Sequence, residues 1–345
     1  MPSKGKIVVL RFSAMGDVAM VASVLPELVS QNSGTELVMV SRSTFKPFFD
    51  GITNVSFHPI EPKTTHKGLT GLYQLFLELK KYDAVGVADL HDNIRSRVLC
   101  LFFWLAGVEI NRIDKGRREK SALTRPVNKV FKQLRQTVER YADVFKAFNL
   151  DLKLSHQLVK QKRQIPAKAE SWFNNSSNNK KIGISPFAQH IYKVYALTNM
   201  EMVIAELDNL SYDIFIFGGG KQEQAVAADW EDKFKNVKSL IGNFTLTEEL
   251  AIISNLDVML SMDSSGMHMA SLVGVPVVSI WGPTHPYAGF LGYGQLESDC
   301  LQIDDPIRPN SIYGNKPCLS GVIPCIDLVK PEMVVDRIKQ KLQDA

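Results

Sequence analysis

The sequence predicts an α/β protein built from two consecutive doubly wound, Rossmann-like units, and three observations carry that prediction. Short apolar, β-branched runs alternate with segments of helical periodicity from "KIVVLRF" near the start to "VPVVSIWG" near residue 280. The alternation begins afresh after a polar, turn-rich stretch, "NNSSNNKK" at 174–181. The 345 residues suffice for two domains of ordinary size.

Taken in order, "KIVVLRF" is a strand, Ser13–Gly16 a tight turn permitted by Gly16, and the segment from about Asp17 to Gln31 a helix with Leu25, Leu28 and Val29 at helical spacing. "TELVMVS" (Thr35–Ser41) and "YDAVGVADL" (Tyr82–Leu90) are further buried strands, the second followed by an apolar helix. Strand–helix alternation of this kind implies a parallel sheet with right-handed crossovers. After the polar stretch come a strand "KIGISPF", a helix "NMEMVIAEL" and a strand "YDIFIFGGG" ending in glycines. Next is a helix "TLTEELAIISNL", with Thr245 or Thr247 as N-cap and Glu248 and Glu249 in its first turn. Two more strands, "DVMLSM" and "VPVVSIWG", flank a short helix, and "PEMVVDRIKQKLQ" closes the chain as a helix with Pro331 in its first turn.

Composition narrows the class. Apolar residues at 45% and charged residues at 22% belong to a soluble globular chain, and a net charge of +4 is too mild to select a partner. The four cysteines (Cys100, Cys300, Cys318, Cys325) are too sparse for a disulfide scaffold and lack zinc-site spacing. The first residues are no signal peptide, since Arg11 breaks a short apolar run, and "VLCLFFWLAGV" is too short to span a bilayer. A cytoplasmic location is therefore expected.

The residues able to carry chemistry all follow strand ends, where ligands of such sheets bind. Asp17 opens a helix, and two readings stay open: a cap of that helix, or an ionised general base facing a cleft. Lys193 in "SPFAQHIYKVY" is either a phosphate contact or a solvated lysine, and the glycines of "FGGGKQE" admit a close approach without matching a dinucleotide fingerprint. In "DSSGMHMASLVG", Asp263, Ser264, Ser265, Gly266 and His268 sit within one helical turn. That crowding defeats a Ser-His-Asp triad, and no second ligand makes a metal site. Helix amides with serine hydroxyls suit an anion such as pyrophosphate, with His268 as an ordinary buried histidine the plainer alternative. The turn "WGPTHP" would expose Thr284 and His285 to the cleft.

These segments, "RFSAMGDV", "DLHDNIRSR", "DSSGMHMASLVGVPVVSIWGPTHP" and "IPCIDLVKPEMVVDRI", resemble glycosyltransferase family 9, the ADP-heptose:lipopolysaccharide heptosyltransferases, in order from residue 7 to residue 338. The resemblance implies the GT-B fold, two Rossmann-like doubly wound domains facing a central cleft. It implies an acceptor-binding domain over 1–170, a nucleotide-sugar-binding domain over 180–330 and a C-terminal helix over 331–345. It implies an inverting, metal-independent transfer of a heptose or related sugar from ADP-heptose or another nucleotide-sugar to the lipopolysaccharide inner core (Kdo/heptose-lipid A), with no cofactor. Asp17 falls on the family's catalytic base, Lys193 on its donor-phosphate lysine, and Asp263, Ser264, Ser265 and His268 on its "D-[ST]-G-x-x-H". Ser265 stands where the glycine is usual, and Gly266 is displaced by one. Glu223 falls on the acid that reaches the nucleotide ribose, and Thr284 completes the donor side.

On the acceptor side, Ser13, Arg95 and Arg97 are the candidates, the two arginines suiting a carboxylate- or phosphate-bearing sugar. The basic stretch 111–140, after "LFFWLAG", either lies against an anionic membrane surface (a peripheral contact with the inner face of the inner membrane), grips phosphorylated or Kdo-type acidic sugars, or is a solvated helix face packed over a buried helix. No recognised motif supports nucleic acid. The alternative to an enzyme is a nucleotide-sugar-binding protein without transferase activity. An oxidoreductase would need a GxGxxG turn that neither unit carries.

Overall fold

A computed structural model describes residues 5–174 and 179–343, so residues 175–178 of the expected interdomain loop lie outside the described residues. The chain separates into two compact units: Met1–Lys115 with Arg135–Ser155, and Gly116–Leu134 with His156–Ala345. The expected N-terminal domain of 1–170 thus differs at two places. The segment 116–134 is counted with the second unit, and the chain passes into that unit at residue 156. Tertiary pairing explains the first difference. Lys129 Nζ donates to the carbonyls of Pro306, Ile307 and Arg308, Leu134 N–H donates to Tyr287, and Leu123 and Leu134 cluster with Ala288.

The first unit holds a five-stranded sheet of β1 (Lys6–Leu10), β2 (Glu36–Ser41), β3 (Val55–Pro59), β4 (Ala84–Asp89) and β5 (Glu109–Arg112). Every pairing is parallel and the order is β3-β2-β1-β4-β5. Val8, Val9, Leu10, Val38, Met39 and Val40 are all fully buried, as continuous apolar strands are when helices cover both faces. Each such side chain contributes roughly 1.5–3 kcal/mol through burial. The helix α1 (Met15–Gln31) begins two residues before the expected start, so Gly16 lies inside its first turn rather than in a preceding turn. The helices α2 (Gly68–Lys80) and α3 (Ile94–Leu105) pack Leu75, Phe76, Leu79, Leu99 and Phe103 on the strand residues Val8, Leu10, Val38, Val40 and Val87. The short helix α4 (Arg117–Thr124) belongs to the second unit by its contacts, and α5 (Thr137–Lys146) returns to pack beside α1.

In the second unit, a short helix α6 (Glu170–Asn174) precedes β6 (Lys181–Ser185), α7 (Leu197–Asn209), β7 (Asp213–Ile216), α8 (Lys221–Lys233) and β8 (Val237–Ser239). There follow α9 (Leu246–Ile253), β9 (Val258–Met262), α10 (Ser265–Leu272), β10 (Val277–Ile280) and β11 (Cys300–Leu301). The sheet is wholly parallel, in the order β11-β10-β9-β6-β7-β8. Of the two threonines offered as the cap of α9, Thr245 fills the role: its hydroxyl accepts from Glu248 N–H while Glu248 accepts from Thr245 N–H. A hairpin of β12 (Leu319–Ser320) and β13 (Ile323–Pro324) precedes α11 (Pro331–Gln343). Val334, Val335, Ile338 and Leu342 of α11 lie in the same core as α7 and the sheet, so the last helix is part of this unit.

Candidate functional site

Each sheet reverses its strand order at one place, between β1 and β4 in the first unit and between β6 and β9 in the second. The crevice beyond the strand C-termini at such a point is where doubly wound sheets bind ligands. Most of the predicted residues lie on segments that follow β1, β4, β6 or β9, whereas Glu223 follows β7 and Thr284 follows β10.

In the second unit, β6 leads through a short turn, Ile191–Lys193, into α7. Tyr195 anchors that turn: its ring is fully buried and its hydroxyl donates to Val329 O at 2.5 Å, while Asp327 accepts from Ala196 N–H at 2.8 Å. The closing "IPCIDLVKPEM" stretch therefore holds the element that carries Lys193. Lys193 Nζ lies 3.0 Å from Asp263 Oδ2, which follows β9, with side-chain exposures of 15% and 8%. Two residues 70 positions apart in sequence thus form one nearly buried ion pair at the switch point.

The irregular glycine has a steric explanation. A Cβ on Gly266 would stand 2.4 Å from both Cβ and Oγ of Ser185 and 3.0 Å from Ser261 Oγ. The first turn of α10 is pressed against the ends of β6 and β9, so the residue that must lack a side chain is 266. Ser265, partly exposed, has room for its hydroxymethyl group. Ser264 N–H donates to Met262 O at 2.7 Å, which removes it from the amides expected to meet an anion, and its hydroxyl lies 3.3 Å from Ser261 Oγ. The amides that follow, at the start of α10, have no intrahelical acceptor. His268 is buried one turn on.

Glu223, in the first turn of α8, accepts from Gly219 N–H at 2.7 Å and so closes the glycine turn of its own chain. Thr284 and His285 are not exposed as the sequence suggested. Both are buried, and His285 Nδ1 accepts from Tyr287 N–H at 3.0 Å. Burial, with Arg308 nearby, lowers the His285 pKa to about 4, so the ring is neutral. Thr284 Oγ1 is fully enclosed with no hydrogen-bond partner among the described residues.

In the first unit, Asp17 performs the capping task, its Oδ2 accepting from Ala14 N–H at 3.3 Å, and also forms an ion pair with Arg11. Arg11 in turn donates to Leu90 O at 2.8 Å, tying the end of β1 to the end of β4. Ser13 lies partly exposed on the same turn. The "DLHDNIRSR" stretch folds about Asp89, which accepts from His91 and Asp92 N–H, Ser96 Oγ and Arg112 Nε. His91 Nδ1 accepts from Phe12 N–H at 3.0 Å, and burial followed by Arg11 and Lys115 lowers its pKa to about 3. Arg97 is half exposed but already paired with Asp92 at 2.8 Å, whereas Arg95 stands exposed at the start of α3 without an ion pair among the described residues. Sequence reasoning missed Arg11, His91, Lys115 and Arg308. Their partners are mostly backbone atoms far along the chain, for which the sequence carries no local signal.

In the basic stretch 111–140, Arg117, Arg118, Arg125 and Lys132 are exposed, while other cations are engaged within the protein. Arg112 pairs with Asp89, Lys115 donates to Asp92 O, and Lys120 is buried 4.2 Å from the Phe290 ring centroid. Lys129 caps three carbonyls, Arg135 pairs with Asp143, and Arg140 is buried. All four cysteines are free and buried, and among the described residues no group of three or more His, Cys, Asp or Glu is arranged to hold a metal ion.

Two wholly parallel α/β units, superposing on solved two-domain structures over nearly their full length, define the GT-B fold. More narrowly, the chain belongs to glycosyltransferase family 9 (heptosyltransferase), whose sequence profile matches residues 73–295. The lipopolysaccharide core heptosyltransferase OpsX of Haemophilus influenzae is 25% identical over 290 residues, 81% of this chain and 79% of that protein. Lipooligosaccharide heptosyltransferase 2 of Campylobacter jejuni is 26% identical over 144 residues, 39% of this chain and 42% of that protein. The family 9 glycosyl transferase of Veillonella parvula superposes with a TM-score of 0.76 at 17% identity, covering 99% of this chain and 98% of that one. The E. coli heptosyltransferase WaaC with ADP-2-deoxy-2-fluoro heptose gives 0.68 at 15% identity, covering 97% and 99%.

Proposed function

We propose that this family 9 glycosyltransferase moves a heptose from ADP-heptose to a hydroxyl of the lipopolysaccharide inner core, with inversion and without a metal ion. The observation that carries the donor half is the Lys193–Asp263 pair beside the start of α10, at the switch point of the second sheet. A lysine held there by a carboxylate is placed to meet a diphosphate, and preorganised donors of this kind stabilise charge on a departing oxyanion. In this reading Lys193, the amides opening α10, Ser264, Ser265, Gly266, His268 and Thr284 surround the diphosphate, and Glu223 fixes the glycine turn near the nucleoside. Asp17 takes the proton of the acceptor hydroxyl as that oxygen attacks the anomeric carbon. Ser13, Arg95 and the Asp92-paired Arg97 meet the anionic acceptor sugar.

The test is transfer in EDTA from ADP-heptose to a Kdo-bearing acceptor, with the anomeric configuration of the product read by NMR. Asp17→Asn should lower kcat by about 10²–10⁴ while ADP affinity stays within a few-fold. Undiminished turnover by that variant removes Asp17 from the chemistry. ADP-heptose binding without turnover on any acceptor would favour the binding-protein alternative.

The acceptor is lipid-anchored, and we assign the membrane contact to α2 and α3 rather than to 111–140. Leu69, Tyr73 and Leu77 recur every fourth residue on the solvent side of α2, and Leu101, Trp104 and Leu105 are exposed on α3, Trp104 at 64%. The rings of Tyr73 and Phe102 join the two helices edge to face. Among the described residues no helix is long and apolar enough to cross a membrane, so the contact proposed is peripheral. Vesicles of anionic phospholipid should sediment the protein, and Trp104→Ser with Leu105→Ser should abolish sedimentation without changing turnover of a water-soluble acceptor.

A further inference from the structure

The turn that leaves β10, Trp281–Thr284, is held almost entirely from below by one buried side chain. Arg308 is 3% exposed, yet no carboxylate lies within salt-bridge distance of it among the described residues. Its Nε donates to Gly282 O at 2.6 Å, and its Nη2 to Trp281 O at 3.2 Å, Thr284 O at 2.9 Å and Gln302 Oε1 at 2.9 Å. Its Nη1 donates to Ile303 O. The remaining carbonyl of the turn, Pro283 O, accepts from Asn310 N–H at 3.1 Å and Ser311 N–H at 3.2 Å. Every carbonyl from 281 to 284 is therefore bound by the segment 308–311. Burying a cation is costly in desolvation unless such contacts repay it, so a purely structural site would be served as well by apolar packing.

What the clasp controls is Thr284. Its carbonyl is fixed by Arg308 while its hydroxyl, enclosed and 1% exposed, has no partner among the described residues. An unpaired enclosed hydroxyl is unfavourable to the fold, and a bound acceptor atom removes that cost. The same segment then passes over Lys193. Gly314, at φ +73°, lies so close that a Cβ there would stand 2.2 and 2.3 Å from Lys193 Cγ and Cδ and 3.5 Å from Thr284 Cγ2. Ser311 Oγ holds that glycine in place by accepting from Gly314 N–H at 2.9 Å. Lys193 and Thr284 thus flank one backbone position, and the strap 308–314 sets both.

We propose that Arg308 is a positioning residue of the donor site: by fixing the Trp281–Thr284 carbonyls it presents the Thr284 hydroxyl, beside Lys193, to the donor diphosphate. The proposal rests on the reading of Lys193 as the diphosphate contact. Arg308 touches no substrate, and its effect passes through Thr284. Lysine cannot replace it, because a single ammonium lacks the planar fork that reaches three carbonyls of one turn.

The test is a double-mutant cycle on the full-length enzyme with ADP-heptose. Arg308→Lys and Thr284→Val should each raise the donor KM about tenfold, leaving the acceptor KM within twofold, and the double variant should be no worse than the worse single one. Thr284→Ser, which keeps the hydroxyl, should stay within threefold of the parent. Should Arg308→Lys fail to fold, Gln302→Leu removes one of its contacts and should raise the donor KM about threefold, again without adding to Thr284→Val. Additive effects, an unchanged donor KM in Arg308→Lys, or a Thr284→Ser as impaired as Thr284→Val each overturn the proposal. If Thr284→Val is silent while Lys193→Met weakens ADP binding, the proposal falls and the donor site stands. If both are silent, the donor reading falls with it.

Discussion

Lys193→Met tests the donor site most directly, because its consequence for stability and its consequence for binding are both calculable. At 3.0 Å the pair has a gross attraction of about 5 kcal/mol at an effective dielectric of about 20. Removing the cation leaves Asp263 buried and uncompensated, a change that typically costs about 3–5 kcal/mol. The 15% exposure of the Lys193 side chain puts the expectation near the lower end, about 3 kcal/mol. Removing both charges, in Lys193→Met with Asp263→Asn, should recover most of that loss. For binding, the loss of one charge-assisted contact to a diphosphate is about 1.5–3 kcal/mol, or roughly 10- to 150-fold in Kd for ADP. Urea unfolding followed by tryptophan fluorescence reads the first effect, since Trp230 and Trp281 are buried in the second unit. The transition of that unit must be fitted separately, because two units need not unfold as one. Calorimetry with ADP reads the second effect. A single variant with parental midpoint and parental ADP affinity, or a double variant no more stable than Lys193→Met, refutes the reasoning.

Other outcomes follow from the same geometry. Gly266→Ala should destabilise the second unit by about 1–3 kcal/mol and weaken ADP binding, and Ser185→Gly should restore both by vacating the space the new methyl needs, as read by urea midpoint and calorimetry. His285 and His91 have folded pKa values of about 4 and about 3, below the unfolded value of 6.5, so the unfolded chain takes up protons first. Their contribution is present above pH 6.5 and is lost as pH falls toward 4 and 3, on the order of 3 kcal/mol for His285. His285→Asn should flatten the acid limb of the stability curve measured from pH 7 to 4, and an unchanged limb would dismiss the assignment.

The alternation of strands and helices was legible because parallel strands covered on both faces are plain apolar runs, as in "KIVVL" and "VMLSM". The Thr245 cap was legible because a capping box is written in four consecutive residues. Contacts between distant segments were not. Nothing local to Arg308 announces that its partners are the carbonyls of 281–284, and nothing in "GPTHP" announces that this turn is covered by 308–314. Arg97 shows the converse: an arginine near a strand end looked available, while Asp92, five residues earlier, already held it. The displaced glycine was visible in the sequence, but its cause was not, because Ser185 lies on another strand.

The excursion of 116–134 into the second unit bears on how the chain is made. Lys129 waits for carbonyls 177 to 179 residues further on. At roughly 5–20 residues per second, its partners leave the ribosome about 10–35 s later. The first unit has all of its residues once Ser155 has emerged, and must fold with this segment looped out and its apolar Leu123 and Leu134 still uncovered. Segments made much later, around Tyr287–Phe290 and Pro306–Ile312, are therefore the ones that cover this loop, and damage to the 285–312 region would be felt as aggregation through a segment encoded much earlier.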